Sequence, residues 1–311
     1  VRRIGLSATP QRQYDDLGNA KIREFFGSID NYTFEYSMRD AIQNGALCKY
    51  FYYPHLVELT PDEFAEYVEL SKKIAKIFDN DDPDSQDILK RLLLKRKRII
   101  HKAANKKKAF TEILQDRINT FGSLKYNLVY VPEGNLPDDQ MADIFDTTDA
   151  LGDDEDSVHI IDEFTAIVRD IDDHVVVRQF IGDTPDRDQI LKDFADGKID
   201  VITSMKCLDE GVDVPRSELA VFCSSTGNPR QFIQRRGRVL RTHKDKHCAI
   251  IHDLVVIPGY LSNEDTYETE RNLVGTEVLR VRDFALLSEN CNDTLSVLDD
   301  VLTRYNISLF K

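Results

Sequence analysis

The chain has 311 residues, 41% of them apolar, with five cysteines and a formal net charge of −14. At about 100–200 residues per domain this is one large domain or two modest ones, with ample material for a packed core. The cysteines (Cys48, Cys207, Cys223, Cys248, Cys291) are odd in number and include no C-x-x-C pair, which argues against a stapled secreted fold and for a reducing compartment; no apolar run approaches the roughly 18 residues that cross a bilayer.

A net acidic chain usually argues against a nucleic-acid partner, but here the charge is segregated. From Tyr126 to Val168 there are twelve Asp or Glu and no Lys or Arg, which leaves only −2 for everything else. From Ile88 to Thr111 there are ten Lys or Arg and no acid. The chain begins at Val1 and runs almost at once into Gly5-Leu6-Ser7-Ala8-Thr9-Pro10, so it reads as a piece of a longer protein.

In chain order, Phe51–Leu59 reads as a strand. Thr60-Pro61-Asp62-Glu63 has capping-box spacing and opens a helix carrying Phe64, Tyr67, Val68, Ile74 and Ile77. A longer helix is expected from about Ser85 to Arg117. On it Arg91, Lys95, Arg98, Lys102 and Lys106 recur at steps of four, three, four and four, a spacing that stacks them on one face. Tyr126–Val131 is a strand, and residues 132–157 an acidic, flexible loop. His174–Ile181, Ile199–Thr203, Leu219–Cys223 and Cys248–Leu254 are further strands, alternating with helices over Pro185–Ala195 and Pro229–Leu240. The first of these helices has Thr184 as N-cap, Pro185 in its first turn and Gly197 near its end. Such alternation predicts an α/β fold with a parallel sheet covered on both faces. Residues 262–311 read as helical.

Two stretches carry chemistry. Gln234-Arg235-Arg236-Gly237-Arg238-Val239-Leu240-Arg241 places Gln234, Arg238 and Arg241 at i, i+4 and i+7, one face of a helix. An amide and two permanently charged guanidinium forks suit a triphosphate, and Gly237 leaves room for a close approach. The competing reading is a surface helix with solvated arginines. Thr203–Pro215 follows a strand directly, where parallel sheets place their ligands; its hydroxyls suit a phosphate, Gly211 a tight turn, and Asp213 a sugar hydroxyl. His159-Ile160-Ile161-Asp162-Glu163 looks like a metal-binding Asp-Glu box but is expected to open a helix. His243, His247, Cys248 and His252 lack the usual zinc spacing.

Together, Gly5–Pro10, Thr203–Pro215 and Gln234–Arg241 resemble, in order and spacing, motifs III, V and VI of superfamily 2 helicases. The resemblance is to the branch holding XPB-like repair helicases and the motor subunits of restriction enzymes. Thr9-Pro10-x-Arg12, Phe180–Thr184, the Gln opening the last motif, and Lys246 with Ile250–Leu254 fit that branch. It covers about residues 4–57 and 126–256.

The resemblance implies two RecA-like lobes with ATP and Mg²⁺ between them. Residues 1–45 would be the tail of the first lobe and a linker, and 46–258 the second lobe, with a basic helical insertion at 60–120 and the acidic loop at 132–157; 259–311 would be a C-terminal helical segment. Ser7, Ala8 and Thr9 would couple nucleotide state to strand movement. Arg238 and Arg241 would act as arginine fingers, with Gln234, Gly211 and Asp213 binding nucleotide. Thr203 and Lys206 would lie near the nucleic-acid backbone, joined by Arg91, Lys95, Arg98 and Lys102 of the insertion. No G-x-x-x-x-G-K-[ST] occurs in the chain, so ATP turnover is expected only with the missing N-terminal lobe.

The expected function is the C-terminal motor half of an ATP-dependent DNA helicase or translocase. The alternatives are a non-catalytic RecA-like interaction module and a motor subunit feeding a nuclease. DNA is the expected partner, with a protein partner or autoinhibitory role for the acidic loop, no membrane, and a cytoplasmic setting (nucleoid-associated in a bacterium, nuclear in a eukaryote).

Overall fold

Six runs rich in β-branched and aromatic residues form strands: β1 (Lys49–Glu58), β2 (Asn127–Tyr130), β3 (Val177–Phe180), β4 (Val201–Ser204), β5 (Leu219–Phe222) and β6 (Cys248–Ile257). The computed structural model describes residues 4–5, 7, 16–27, 34–78, 82–132, 154–182, 184–205, 214, 216–224, 229–259 and 265–310. All six strands pair in parallel, in the order β1-β6-β5-β2-β4-β3. The helices are α1 (Asp16–Phe26), α2 (Met38–Gln43), α3 (Pro61–Ile77), α4 (Pro83–Lys102), α5 (Asn105–Phe121), α6 (Asp154–Ile171), α7 (Arg187–Ala195), α8 (Pro229–Val239), α9 (Tyr267–Ala285), α10 (Cys291–Ser296) and α11 (Asp299–Arg304). This is an α/β arrangement, an all-parallel sheet flanked by helices, as expected.

Parallel pairing requires crossovers, and the crossover helices cover both faces. Strands β2, β4 and β5 are therefore buried at every residue. On one face Tyr52, Tyr130, Phe222 and Ile251 pack against Phe194 of α7, Phe232 of α8 and Phe284 of α9. On the other, Val129, Val221 and Leu254 meet Phe110 and Leu114 of α5 and Phe164 and Val168 of α6. A third cluster joins α3 and α4 through Phe64, Tyr67, Ile99 and Ile100.

The C-terminal helices belong to the first of these cores, through Val274, Val278, Val281 and Leu298. They also seal the β1 edge, a place where unpaired backbone groups invite other chains. The Asn290 amide accepts from Tyr52 N–H at 2.9 Å and donates to Tyr52 C=O at 3.0 Å. Thr294 Oγ1 donates to the same carbonyl at 2.7 Å.

Three local expectations are corrected. The long basic helix is two helices, broken at Ala103 (φ −44°, ψ 120°). Glu63 accounts for the break: Oε2 accepts from Thr60 N–H at 2.9 Å in the expected capping box, while Oε1 accepts from Ala104 N–H at 2.8 Å. Lys106 consequently leaves the basic stripe and is buried. Helix α7 begins two residues late, and Thr184 Oγ1 accepts from Ile181 N–H at 2.7 Å instead of capping it. Helix α6 begins at Asp154, so the end of the predicted loop is helical and Asp162-Glu163 lies in the helix body; residues 133–153 of that loop lie outside the described residues.

The interior also holds a cluster of charges drawn from three elements. Asp253 of β6, fully buried, accepts from Tyr52 Oη at 2.7 Å and lies 3.4 Å from Arg280 Nη1. Arg280 Nη2 donates to Glu277 Oε2 at 2.7 Å. Lys106 of α5 lies close enough to both carboxylates to feel them; burial lowers its amine to about 8, and Glu277 and Asp253 pull it back up. Burial also raises the Glu277 carboxyl, against the pull of Arg280. For Arg280 burial opposes its charge, but Asp253 and Glu277 outweigh it and hold the guanidinium ionised. Nearby, His55 Nε2 and His252 Nδ1 are 2.8 Å apart, and His252 stacks on Tyr53. Burial, and then the neighbouring His55 and Arg117, push His252 down to about 3.

Two measurements test these contacts. Arg280→Met strands two buried carboxylates and should destabilise the fold by about 3–5 kcal/mol in urea unfolding. As pH falls from the ordinary histidine value of 6.5 towards 3, the unfolded chain takes up a proton that folded His252 refuses. Stability should therefore be full above that window and fall through it, and His252→Leu should flatten this part of the pH–stability curve.

Candidate functional site

Helix α8 is a chain of polar residues that must still pack on the sheet, and its arginines divide the work. Arg235, 2% exposed, donates from Nη1 to Ser224 Oγ at 2.6 Å, and its guanidinium lies 5.1 Å from the Tyr130 ring centre. Arg236, 6% exposed, donates to Asp283 C=O at 2.7 Å and lies 4.7 Å from the Phe284 ring centre. These two, unassigned in the sequence reading, anchor the helix between the sheet and α9. Gln234, Arg238 and Arg241 are half-buried. Gln234 and Arg238 are one helical turn apart on α8.

Arg241 is not on the helix. Helix α8 ends at Val239, and Arg241 forms an isolated antiparallel bridge with Leu47, just before β1. Its N–H donates to Arg238 C=O at 3.2 Å, and Cys48 N–H donates to Leu240 C=O at 2.8 Å. The buried Lys246 closes the turn: its Nζ donates to Val239 C=O and, at 2.9 Å, to Arg241 C=O. An ammonium here satisfies terminal carbonyls and complements the negative end of the helix dipole. A Cβ at Gly237 would meet no atom within 4 Å, so the crowding expected there does not come from the described part of this chain.

Strands β4 and β5 flank β2. The last residues of β4 and β5, Ser204 and Phe222, thus lie at the carboxyl edge of the sheet with β2 between them, the edge at which open α/β sheets bind ligands. Lys206, Gly211 and Asp213 lie outside the described residues, as do Ala8 and Thr9; Ser7 is exposed. Thr203 is a correction: it is fully buried, and its hydroxyl is 2.9 Å from Thr165 Oγ1 of α6. Its side chain belongs to the helix–sheet contact, not to a nucleic-acid surface.

The Asp-Glu doublet is engaged structurally. Asp162 accepts from Gln179 Nε2 at 2.7 Å, and Glu163 lies 2.7 Å from Lys107 Nζ. Among the described residues no group of three or more His, Cys, Asp or Glu side chains is placed to hold a metal.

On α4, Arg91, Lys95 and Lys102 are exposed and Arg98 is half-buried. Arg96 instead turns to α3, donating to Ser71 Oγ at 3.2 Å and lying 5.5 Å from the Tyr67 ring centre. The stripe thus runs as far as Lys102, which with His101 and Lys107 lines a cavity of about 280 Å³ beside Phe164 of α6.

Comparison with known proteins places this geometry. Residues 156–243, from α6 to just beyond Arg241, match the helicase conserved C-terminal domain. That stretch of the chain is thus similar to the C-terminal domain of helicases. It is 46% identical over 69 residues to the DNA 3'-5' translocase XPB2 of Sulfurisphaera tokodaii, covering 22% of this chain and 16% of that protein. It is 35% identical over 66 residues to Dicer-like protein 2 of Pyricularia oryzae, covering 21% of this chain and 4% of that one. The match therefore spans only a small part of these relatives. A Sulfolobus solfataricus SWI2/SNF2 ATPase core in complex with double-stranded DNA aligns with a TM-score of 0.48 at 15% identity, over 97% of this chain and 59% of that one.

The division among the arginines is measurable. Arg235→Ala and Arg236→Ala each leave buried acceptors and ring faces without a partner and should cost about 2–4 kcal/mol in denaturant unfolding. Gln234→Ala and Arg238→Ala should stay within about 1 kcal/mol of the parent.

Proposed function

We propose that this chain is the C-terminal motor half of an ATP-dependent superfamily 2 DNA helicase or translocase. The observation that carries the reading is the helicase-domain match, which contains an octet with two arginines buried as anchors and Gln234, Arg238 and Arg241 left half-buried. In this reading ATP lies between this lobe and an N-terminal RecA-like lobe. Arg241 and Arg238 meet the γ-phosphate, where an arginine finger stabilises charge on the transferring group and is worth about 10³–10⁵ in turnover. Gln234 adds an amide contact, and Gly211 and Asp213 serve the nucleotide and its ribose.

In the same reading Mg²⁺ accompanies the ATP in the full-length protein. Lys206 and the α4 stripe of Arg91, Lys95, Arg98 and Lys102 grip DNA through its phosphates, a contact whose strength falls with salt. Ser7, Ala8 and Thr9 couple the nucleotide to that grip. Such a motor works where DNA is, in a nucleoid or a nucleus.

The test is ATP hydrolysis by the full-length protein with duplex DNA, single-stranded DNA or RNA as stimulant. DNA should stimulate most, and Arg241→Ala should lower kcat by about 10³ or more. Reversing the charges of Arg91, Lys95 and Arg98 should raise the DNA concentration for half-maximal stimulation about tenfold or more at low salt. No turnover with any polymer would favour a non-catalytic interaction module, and RNA preference would move the substrate class.

A further inference from the structure

The turn that carries Arg241 is held from two sides, by the segment entering β1 and by Lys246. Arg241 leaves α8 two residues after its last helical position, so the helix does not itself set the direction of its side chain. That direction depends on the main chain of Leu240 and Arg241. On one side the bridge to Leu47 and the bond from Cys48 N–H to Leu240 C=O at 2.8 Å tie this main chain to the segment entering β1. On the other side Lys246, 7% exposed, donates from one ammonium to the carbonyls of both Val239 and Arg241, the latter at 2.9 Å. Lys246 is itself fixed by its own N–H, which donates to His243 C=O at 3.0 Å and closes the turn after Arg241.

We infer that Lys246 is a positioning residue for Arg241, clamping the backbone on either side of Leu240 so that the guanidinium is presented in one place. This deepens the motor reading and rests on it. The physical case is one of alternatives. A buried ammonium is costly, and an apolar side chain of similar volume is often as stable or more so. Lys246 keeps its charge site close to two carbonyls that a methyl-terminated side chain would leave unsatisfied. An arginine on a long flexible stem gains catalytic effect only when its attachment point is held, and a misplacement of about 1 Å can cost about 10²-fold. The same clamp joins the finger to Leu47 and Cys48, so movement of the segment entering the sheet reaches Arg241 through two main-chain contacts.

The experiment is a double-mutant cycle on DNA-stimulated ATP hydrolysis by the full-length protein. It compares wild type, Lys246→Met, Arg241→Ala and the double variant, with the unfolding midpoint of each recorded. The expected result is a fall in kcat of about tenfold or more for Lys246→Met. Its KM for ATP should move far less, and the added effect should be less than about twofold in the Arg241→Ala background. An equal loss in both backgrounds would make Lys246 a stabilising cap only and overturn the inference, as would unchanged kcat in Lys246→Met when Arg241→Ala is impaired. If Arg241→Ala itself is unimpaired, the motor assignment of Arg241 fails first, and this inference with it. Should Lys246→Met not fold, Lys246→Gln, which retains a shorter donor, is read by the same criteria.

Discussion

Asp253, Glu277, Arg280 and Lys106 form a buried cluster of charges between the sheet and the helices packed on it. Each such charge costs several kcal/mol to remove from water unless a partner of opposite sign is close by. Two carboxylates and two cations meet that condition here, with Tyr52 completing the shell of Asp253. The charges come from β6, α5 and α9, and Tyr52 from β1, so the edge of the sheet, the helical insertion and the C-terminal segment share one electrostatic constraint. Shifting α9 or α5 would expose an uncompensated charge to an apolar surround. Apolar packing tolerates sliding; this cluster specifies where those elements sit relative to Asp253.

The same logic, polar groups spent on position, runs through the helicase octet. Arg235 and Arg236 are consumed in holding α8 against Ser224, Tyr130 and Phe284. Their neighbours Gln234 and Arg238 remain half-buried. Lys246 caps the helix, and Glu63 does similar double duty in the insertion, bonding Thr60 and Ala104 with its two oxygens. That single carboxylate turns α4 into α5 and so separates the outward stripe ending at Lys102 from the inward Lys106.

Much of this was legible beforehand because parallel strands buried on both faces must read as nearly continuous β-branched and aromatic runs. Val201–Ser204 and Leu219–Phe222 are such runs, and the helices between them follow from their apolar spacing. The helix over most of the octet was legible from its spacing, but not its end at Val239, which leaves Arg241 outside it. The break at Ala103 was not, since alanine is the best helix former and the decisive contact, Glu63 to Ala104, spans 41 residues. Nor was the burial of Thr203, whose hydroxyl looks available until Thr165 is seen against it.

The sequence by itself determined the α/β class, the order of strands and helices along the chain, and the residues from which a phosphate-facing arginine set could be drawn. These are local properties, written in periodicity, caps and motif spacing. The tertiary structure decided which arginines are anchors, that Arg241 lies beyond α8, that Lys106 turns inward and that the C-terminal helices complete the sheet's core. Each of those outcomes depends on a partner far away in the chain (Ser224, Leu47, Glu277, Tyr52), and no local pattern encodes which distant group will satisfy a buried charge or carbonyl.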